Sequence, residues 1–380
     1  MSAALDVDAL IDDPATRIVV TCGSGGVGKT TIAAALALRA AEAGRRTVVL
    51  TIDPARRLAQ SMGLSELDNT PRPVAKARGP LAAMMLDMKR TFDEVVSANS
   101  SPDRAEQIFA NPFYQALSSS FAGTQEYMAM EKLSQLSEQS KWELIIVDTP
   151  PSRSALDFLD APQRLGHFLD GRMIRLITAP ARAGSKAYLK VVTAGFSVAA
   201  RMMSKMLGGE LLSDVSSFVS ALETMFGGFR QRAEHTYQLL KAPGTAFVVV
   251  AAPEPDALRE ASYFVDRLGD EQMPLAGVVV NRMHDTSVPG RSLTARRAEA
   301  AADALADKRA TGDDAPELAL AEAALRVQVE LGLAAEVDTR MARRFAAAHP
   351  QVALVTVPAL PTDVHDLAGL RRVGALLGGT

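Results

Sequence analysis

Gly23-Ser24-Gly25-Gly26-Val27-Gly28-Lys29-Thr30, followed by Thr31, is the stretch that decides the fold. It satisfies G-x-x-x-x-G-K-[ST] at each specified position, behind the apolar run Arg17 to Cys22 and ahead of an alanine-rich helical pattern. Strand, glycine turn and helix therefore arrive in the order that a phosphate-binding loop requires. Glycines let the backbone turn tightly and bring its N–H groups against a polyphosphate, and the following helix offers its positive end to the same anion. Lys29 is placed to reach β and γ phosphates. Thr30 is placed to ligate magnesium through its hydroxyl, because Mg²⁺ takes a few protein oxygens together with phosphate oxygens and retained waters.

Outward from this loop, short apolar runs alternate with helical patterns. After residues 17–22 come TVVLTID at 47–53, LAAMMLD at 81–87, ELIIVDTP at 143–150, AFVVVAAP at 246–253, LAGVVVNR at 275–282 and ALVTVPAL at 353–360. Such alternation predicts an α/β fold, a P-loop NTPase with a mostly parallel twisted sheet covered by helices on both faces. Residues of about 90–140 and 160–240 lack strand character and carry apolar residues at helical spacing, so an inserted all-helical subdomain is expected within a single domain over 1–380. Residues 284–317, polar and alanine-rich with a Pro-Gly break, read as a loop or solvated helix, with Arg296 and Arg297 at the surface.

The second insertion is rich in methionine. Met202, Met203, Met206, Met225 and Phe226 lie among the glycine pairs Gly208-Gly209 and Gly227-Gly228, and Tyr127, Met128 and Met130 belong to the first insertion. Two readings stand for them, a flexible groove for apolar partners or the ordinary core of a helical bundle.

Composition narrows the class. A net charge of −3 with 22% charged residues gives no general attraction to nucleic acid, and no nucleic-acid partner is expected. No uninterrupted apolar run reaches membrane-spanning length, and MSAALDVDALIDDPATR lacks the basic region and apolar core of a secretory signal. The single cysteine, Cys22, rules out an internal disulfide or a multi-cysteine metal site within one chain; a cytoplasmic protein is expected, with Cys22 packed at the end of a buried strand.

The remaining site residues follow from the strand ends. Magnesium beside a phosphate loop needs a second acidic group, usually at the end of a buried strand, and Asp148 ends four apolar residues; the alternative is that it caps the next helix. Residues 150–158, PPSRSALDF, form the loop expected to sense a γ-phosphate. In TIDPARRLA, Asp53 ends a strand that Pro54 stops; it could orient or deprotonate an attacking water, or serve as a helix N-cap, while Arg56 and Arg57 could meet phosphate or simply begin a solvated helix. Asn281 ends its strand with an amide able to offer both donor and acceptor to an adenine edge, and VPALPTD at 357–363 is a proline-bracketed loop placed near the base if the sheet order is regular.

Together these segments resemble the arsenite-pump and tail-anchored-protein-targeting ATPase family, a branch of the deviant P-loop ATPases. The resemblance rests on GSGGVGKTT, TIDPARRLA, IIVDTPPSRSALDFL, VVVN and the C-terminal strand with its proline loop, and it covers nearly the whole chain. It implies an ATP hydrolase using ATP and Mg²⁺, in which Asp53 positions the hydrolytic water, Asp148 supports magnesium through water, and Asn281 with Pro358, Ala359 and Leu360 holds adenine in a C-terminal segment of about 353–380. It also implies a dimer, either of identical chains or with a paralogous ATPase, that opens and closes with ATP and handles an apolar polypeptide client, with transient membrane association.

Three departures from the family pattern bear on that expectation. The position after the first loop glycine, where family members carry a lysine that reaches the partner's nucleotide, is Ser24, which brings no positive charge. Arg56, Arg57 or a partner's lysine would have to replace it, or hydrolysis is slow and the chain works as a weakly active nucleotide-dependent scaffold. The cysteines that clasp zinc between subunits or sense arsenite are missing, so no zinc or iron–sulfur cluster is expected. One phosphate loop means one nucleotide half, which points to a two-chain assembly.

Overall fold

The computed structural model describes residues 3–378 apart from 54–56, 99, 112–113, 116–117, 119–123, 151–231, 233, 289–290 and 312–315. Among the described residues the strands are β1 (Ile18–Cys22), β2 (Thr47–Thr51), β3 (Arg72–Pro73), β4 (Leu81–Met85), β5 (Leu144–Asp148), β6 (Thr245–Ala251), β7 (Leu275–Met283), β8 (Ser287–Val288), β9 (Arg291–Ser292) and β10 (Leu354–Pro358). The helices are α1 (Val7–Asp12), α2 (Lys29–Glu42), α3 (Arg57–Ser61), α4 (Met88–Ala98), α5 (Pro102–Ala110), α6 (Thr124–Glu138), α7 (Pro255–Asp270), α8 (Ala295–Ala310), α9 (Pro316–Ala348) and α10 (Leu367–Leu377).

Eight strands form one sheet in the order β10-β7-β6-β1-β5-β2-β4-β3. All neighbours pair in parallel except β3 with β4. Each of the seven apolar runs quoted from the sequence holds one of these strands, and the near-continuous burial of β1, β2, β4, β5 and β6 is what a sheet covered on both faces demands, while β10 at the edge is mostly half-buried. β3 was not anticipated: two residues, one of them proline, carry too little pattern to read, and proline is tolerated there because the strand is at the sheet edge.

Alternate residues of β1, β2, β4, β5, β6 and β7 feed two separate cores. Val19, Val49, Ala83, Ile146, Val248 and Val279 face a layer formed by α2 and α10, including Leu36 and Leu370. Their neighbours Val20, Leu50, Met84, Ile145, Val249 and Val280 face the opposite layer with Phe92 of α4, Met130 of α6 and Phe264 of α7. Burying each of the larger side chains among these contributes about 1.5–3 kcal/mol, so this period-two pattern fixes strand register.

The helix behind the loop is α2, and its row of buried alanines, Ala33 to Ala35, Ala37, Ala40 and Ala41, lets it lie close against the strands. Arg39 on α2 donates to the carboxylate of Asp8 at 2.6 Å and to the Gly374 carbonyl at 3.0 Å, and Arg371 of α10 donates to Glu42 at 2.8 Å. These bonds tie both ends of the chain to the helix that begins at the phosphate loop.

In the first insertion α4, α5 and α6 supply helices; the second lies outside the described residues except 232 and 234–240, so Met202, Met203, Met206, Met225 and Phe226 are not placed. Over 284–317, which reads as a loop or solvated helix, the chain makes the β8–β9 pair and α8, with Arg296 and Arg297 exposed. α9, to which the sequence reading assigned nothing, packs against α8 as a helical hairpin. It buries only Gly332, Asp338, Ala342 and Phe345 and leaves Leu320, Val327, Leu331, Leu333 and Val337 exposed, so its pattern lacks the one-sided apolar face by which a surface helix is recognised.

Candidate functional site

Central β1 runs between β5 and β6, and the loop at 23–28 leaves its C-terminal end to enter α2. Two glycines are required by geometry. Gly23 takes φ +145° with the Val250 carbonyl oxygen 2.0 Å from where a Cβ would lie, and Gly28 takes φ +95° with the Asn281 amide nitrogen 2.3 Å from that point. Gly25 and Gly26 at the crest are exposed, while Val27 anchors the loop in the core. Gly28 is the N-cap of α2 and supplies no side-chain acceptor, so the first-turn N–H groups are left for an anion.

Lys29 is buried, and its ammonium donates to the carbonyl of Ser24 at 2.7 Å across the mouth of the loop. Burial lowers its pKa, opposed by the negative charges of Asp148 and Asp53 and of Glu260 on α7. The Ser24 hydroxyl is buried without a hydrogen-bond partner among the described residues. Thr31 follows in the first turn of α2, half-buried.

Asp148 ends β5 directly beside this turn. Its Oδ2 accepts hydrogen bonds from Thr30 Oγ1 at 2.8 Å and from Thr51 Oγ1 at 2.9 Å, whereas Oδ1 is buried without a partner among the described residues. Burial pushes the carboxyl pKa up to about 6 against the opposing pull of the two hydroxyls and Lys29, with Asp53 adding to the rise. A carboxylate oxygen lacking a donor, next to a threonine hydroxyl, suits a hard, hydrated divalent cation: a metal-bound water would supply the missing hydrogen bond, and the cation would favour the charged form.

Asp53 lies just past β2, half-buried, and its backbone N–H donates to Thr51 Oγ1 at 3.2 Å. Thr51 thus links the backbone of Asp53 to the carboxylate of Asp148, a role that sequence reasoning missed although a threonine closing an apolar strand was its visible signal. Arg57 begins α3 with its side chain exposed, Pro54 and Arg56 fall outside the described residues, and so do 151–158 of the loop expected to sense a γ-phosphate; Pro150 is half-buried.

On the other side of the loop, Asn281 is buried and donates from Nδ2 to the Val27 carbonyl at 2.8 Å. The amide group that reads as a base contact is therefore engaged by the loop itself. Pro358 pairs with Met283, and the N–H of Ala359 donates to the Met283 carbonyl at 2.8 Å, which brings the segment Pro358, Ala359 and Leu360 beside the strand end that carries Asn281. Cys22, at the end of β1, is buried, and burial pushes its thiol pKa up to about 12.

The arrangement thus gathers a glycine loop, a lysine, two threonine hydroxyls and two carboxylates at the C-terminal edge of a parallel sheet, where α/β proteins bind ligands. The family model described as anion-transporting ATPase matches residues 16–304. The chain is 24% identical to ATPase GET3B of Arabidopsis thaliana over 310 residues, which is 73% of this chain and 67% of that protein. It is 25% identical over 276 residues to ATPase GET3 of Ajellomyces dermatitidis, covering 72% and 75% of the two chains. A shorter match, 30% identical over 195 residues, joins 47% of this chain to 29% of an arsenical pump-driving ATPase from Halobacterium salinarum.

Proposed function

This chain belongs to the anion-transporting ATPase family and is an ATP hydrolase, and from that premise we propose that it uses Mg²⁺ and ATP to open and close a dimer that handles an apolar polypeptide client. The observation that carries the nucleotide half of this reading is the pairing of Thr30 with a buried Asp148 whose second oxygen has no donor among the described residues. Lys29 and the loop amides of 23–30 hold the phosphates, Thr30 and Asp148 hold magnesium, and Asp53 orients the water and takes its proton as the terminal P–O bond breaks. Magnesium, when bound, neutralises charge on the β and γ phosphates. The resemblance assigns the base to Asn281 and the loop Pro358–Leu360. The resemblance supports the dimer, client and transient membrane contact, and the alternation of two states under nucleotide control is a familiar use of this chemistry.

The test measures ATP turnover as magnesium is titrated, alongside the mass of the particle in solution with ADP and with a non-hydrolysable ATP analogue. Magnesium-dependent turnover and an analogue-induced change in assembly are expected. Turnover unaffected by a chelator sinks the metal assignment, and an unchanged monomer sinks the dimer.

Ser24 favours a second reading, a weakly active nucleotide-dependent scaffold or one half of a heterodimer, because its buried hydroxyl brings no cation to a partner's phosphates. Turnover that rises sharply when a paralogous ATPase is added supports that reading.

A further inference from the structure

We propose that Asn281 is a positioning residue for ATP hydrolysis, whose side-chain amide clamps the phosphate loop through the Val27 carbonyl and so sets the loop's grip on phosphate whatever its contact with the base. The bond is 2.8 Å long, buried, and joins residues 254 positions apart. It falls where the loop turns into α2, between the anchored side chain of Val27 and the left-handed backbone of Gly28. The amide lies so close to Gly28 that a Cβ there would meet its nitrogen at 2.3 Å, so contact and hydrogen bond act on adjacent peptide units. Loop N–H groups stabilise an anion only when their directions are fixed beforehand, and a donor from a different strand supplies that constraint.

The strand end that carries Asn281 is itself held from several directions. Arg282 adopts φ +62°, uncommon for a residue with a Cβ, as the pairing register of β7 with β10 shifts. Met283 accepts from Ala359, and both the backbone N–H and the Nδ1 of His284 bond the buried Asp338 of α9 at 2.8 Å. A side chain mounted on so constrained a backbone can act as a rigid clamp.

The inference rests on reading 23–30 as a phosphate site, and the experiment separates the two. Binding of magnesium tripolyphosphate, which has no base, is measured by competition with ATP for the wild type, for Asn281→Ala and for the similarly sized Asn281→Leu, each shown first to keep the wild-type unfolding transition. A clamp predicts that tripolyphosphate affinity falls about three- to tenfold in both variants, the worth of one hydrogen bond, with kcat reduced as well as KM raised for ATP. Tripolyphosphate binding equal to wild type, with only KM for ATP altered, assigns Asn281 to the base alone and overturns the clamp. Failure of the wild type to bind tripolyphosphate overturns the phosphate-loop reading and the clamp together. If neither variant folds, ¹⁵N-asparagine NMR of the wild type decides: tripolyphosphate must shift the Asn281 side-chain amide, and an unmoved signal rejects the proposal.

Discussion

Thr30 and Asp148, 118 positions apart, meet in a 2.8 Å hydrogen bond between the first turn of the helix after the phosphate loop and the last residue of the strand beside it. The same carboxylate oxygen is bonded by Thr51, so one atom joins the ends of three segments. Replacing Asp148 with alanine should raise the magnesium needed for half-maximal turnover and lower the rate by about 10–100-fold, as for other groups that orient metal ligands. A magnesium titration at saturating ATP reads this directly, and an unchanged requirement removes Asp148 from the metal site.

Thr51→Val keeps the shape of the side chain while deleting its hydroxyl. Asp148 then loses one of two donors in a fully buried setting, which should reduce folding stability by about 1–3 kcal/mol and push the carboxyl pKa further upward. Denaturant unfolding of both proteins measures the first effect. Equal stability would mean that the Thr51 hydroxyl contributes nothing to the site.

Asp53→Asn should leave ATP binding close to wild type and slow turnover by about 10²–10⁴-fold, the usual contribution of a positioned general base. Binding is followed with a fluorescent nucleotide and turnover by phosphate release. Wild-type turnover in the purified variant, with contaminating ATPase excluded, would falsify the catalytic role.

Gly28→Ala places a Cβ where the Asn281 amide stands, on a backbone at φ +95°. Strain from the left-handed backbone is about 1–2 kcal/mol, and displacement of Asn281 adds to it, so both the melting temperature and phosphate binding should fall. A variant as stable and as tightly binding as wild type contradicts the close approach of strand and loop.

Cys22 should resist alkylation at neutral pH, since the thiolate is the reactive species and burial moves the thiol pKa to about 12. Above pH 9, near the ordinary value, the unfolded chain loses this proton while the folded chain keeps it. The cysteine's contribution therefore erodes stability as pH rises from 9 towards 12, and Cys22→Ala should show a shallower alkaline decline in denaturant unfolding. Rapid maleimide labelling of the native protein at pH 7 argues against the buried position.

The phosphate-loop pattern and the sheet were legible because each is a local matter. A phosphate loop must have glycines and a lysine at fixed offsets, and a strand buried on both faces must be a continuous apolar run, as β1, β5 and β6 are. β3 and α9 were not legible: the first is too short to carry a period, and the second is a long, alanine-rich helix with apolar residues left exposed.

What the sequence determined by itself is the class of chemistry, since residue types at short spacing fix what a turn can bind. The tertiary structure decided which distant groups share that chemistry. Thr51 comes beside Asp148 only through strand order, and the amide of Asn281 meets the Val27 carbonyl only because β7 lies two places from β1 with β6 between them. Hydrogen bonds and Coulomb forces act over a few ångströms of space, and separation along the chain says nothing about which side chains come within that reach.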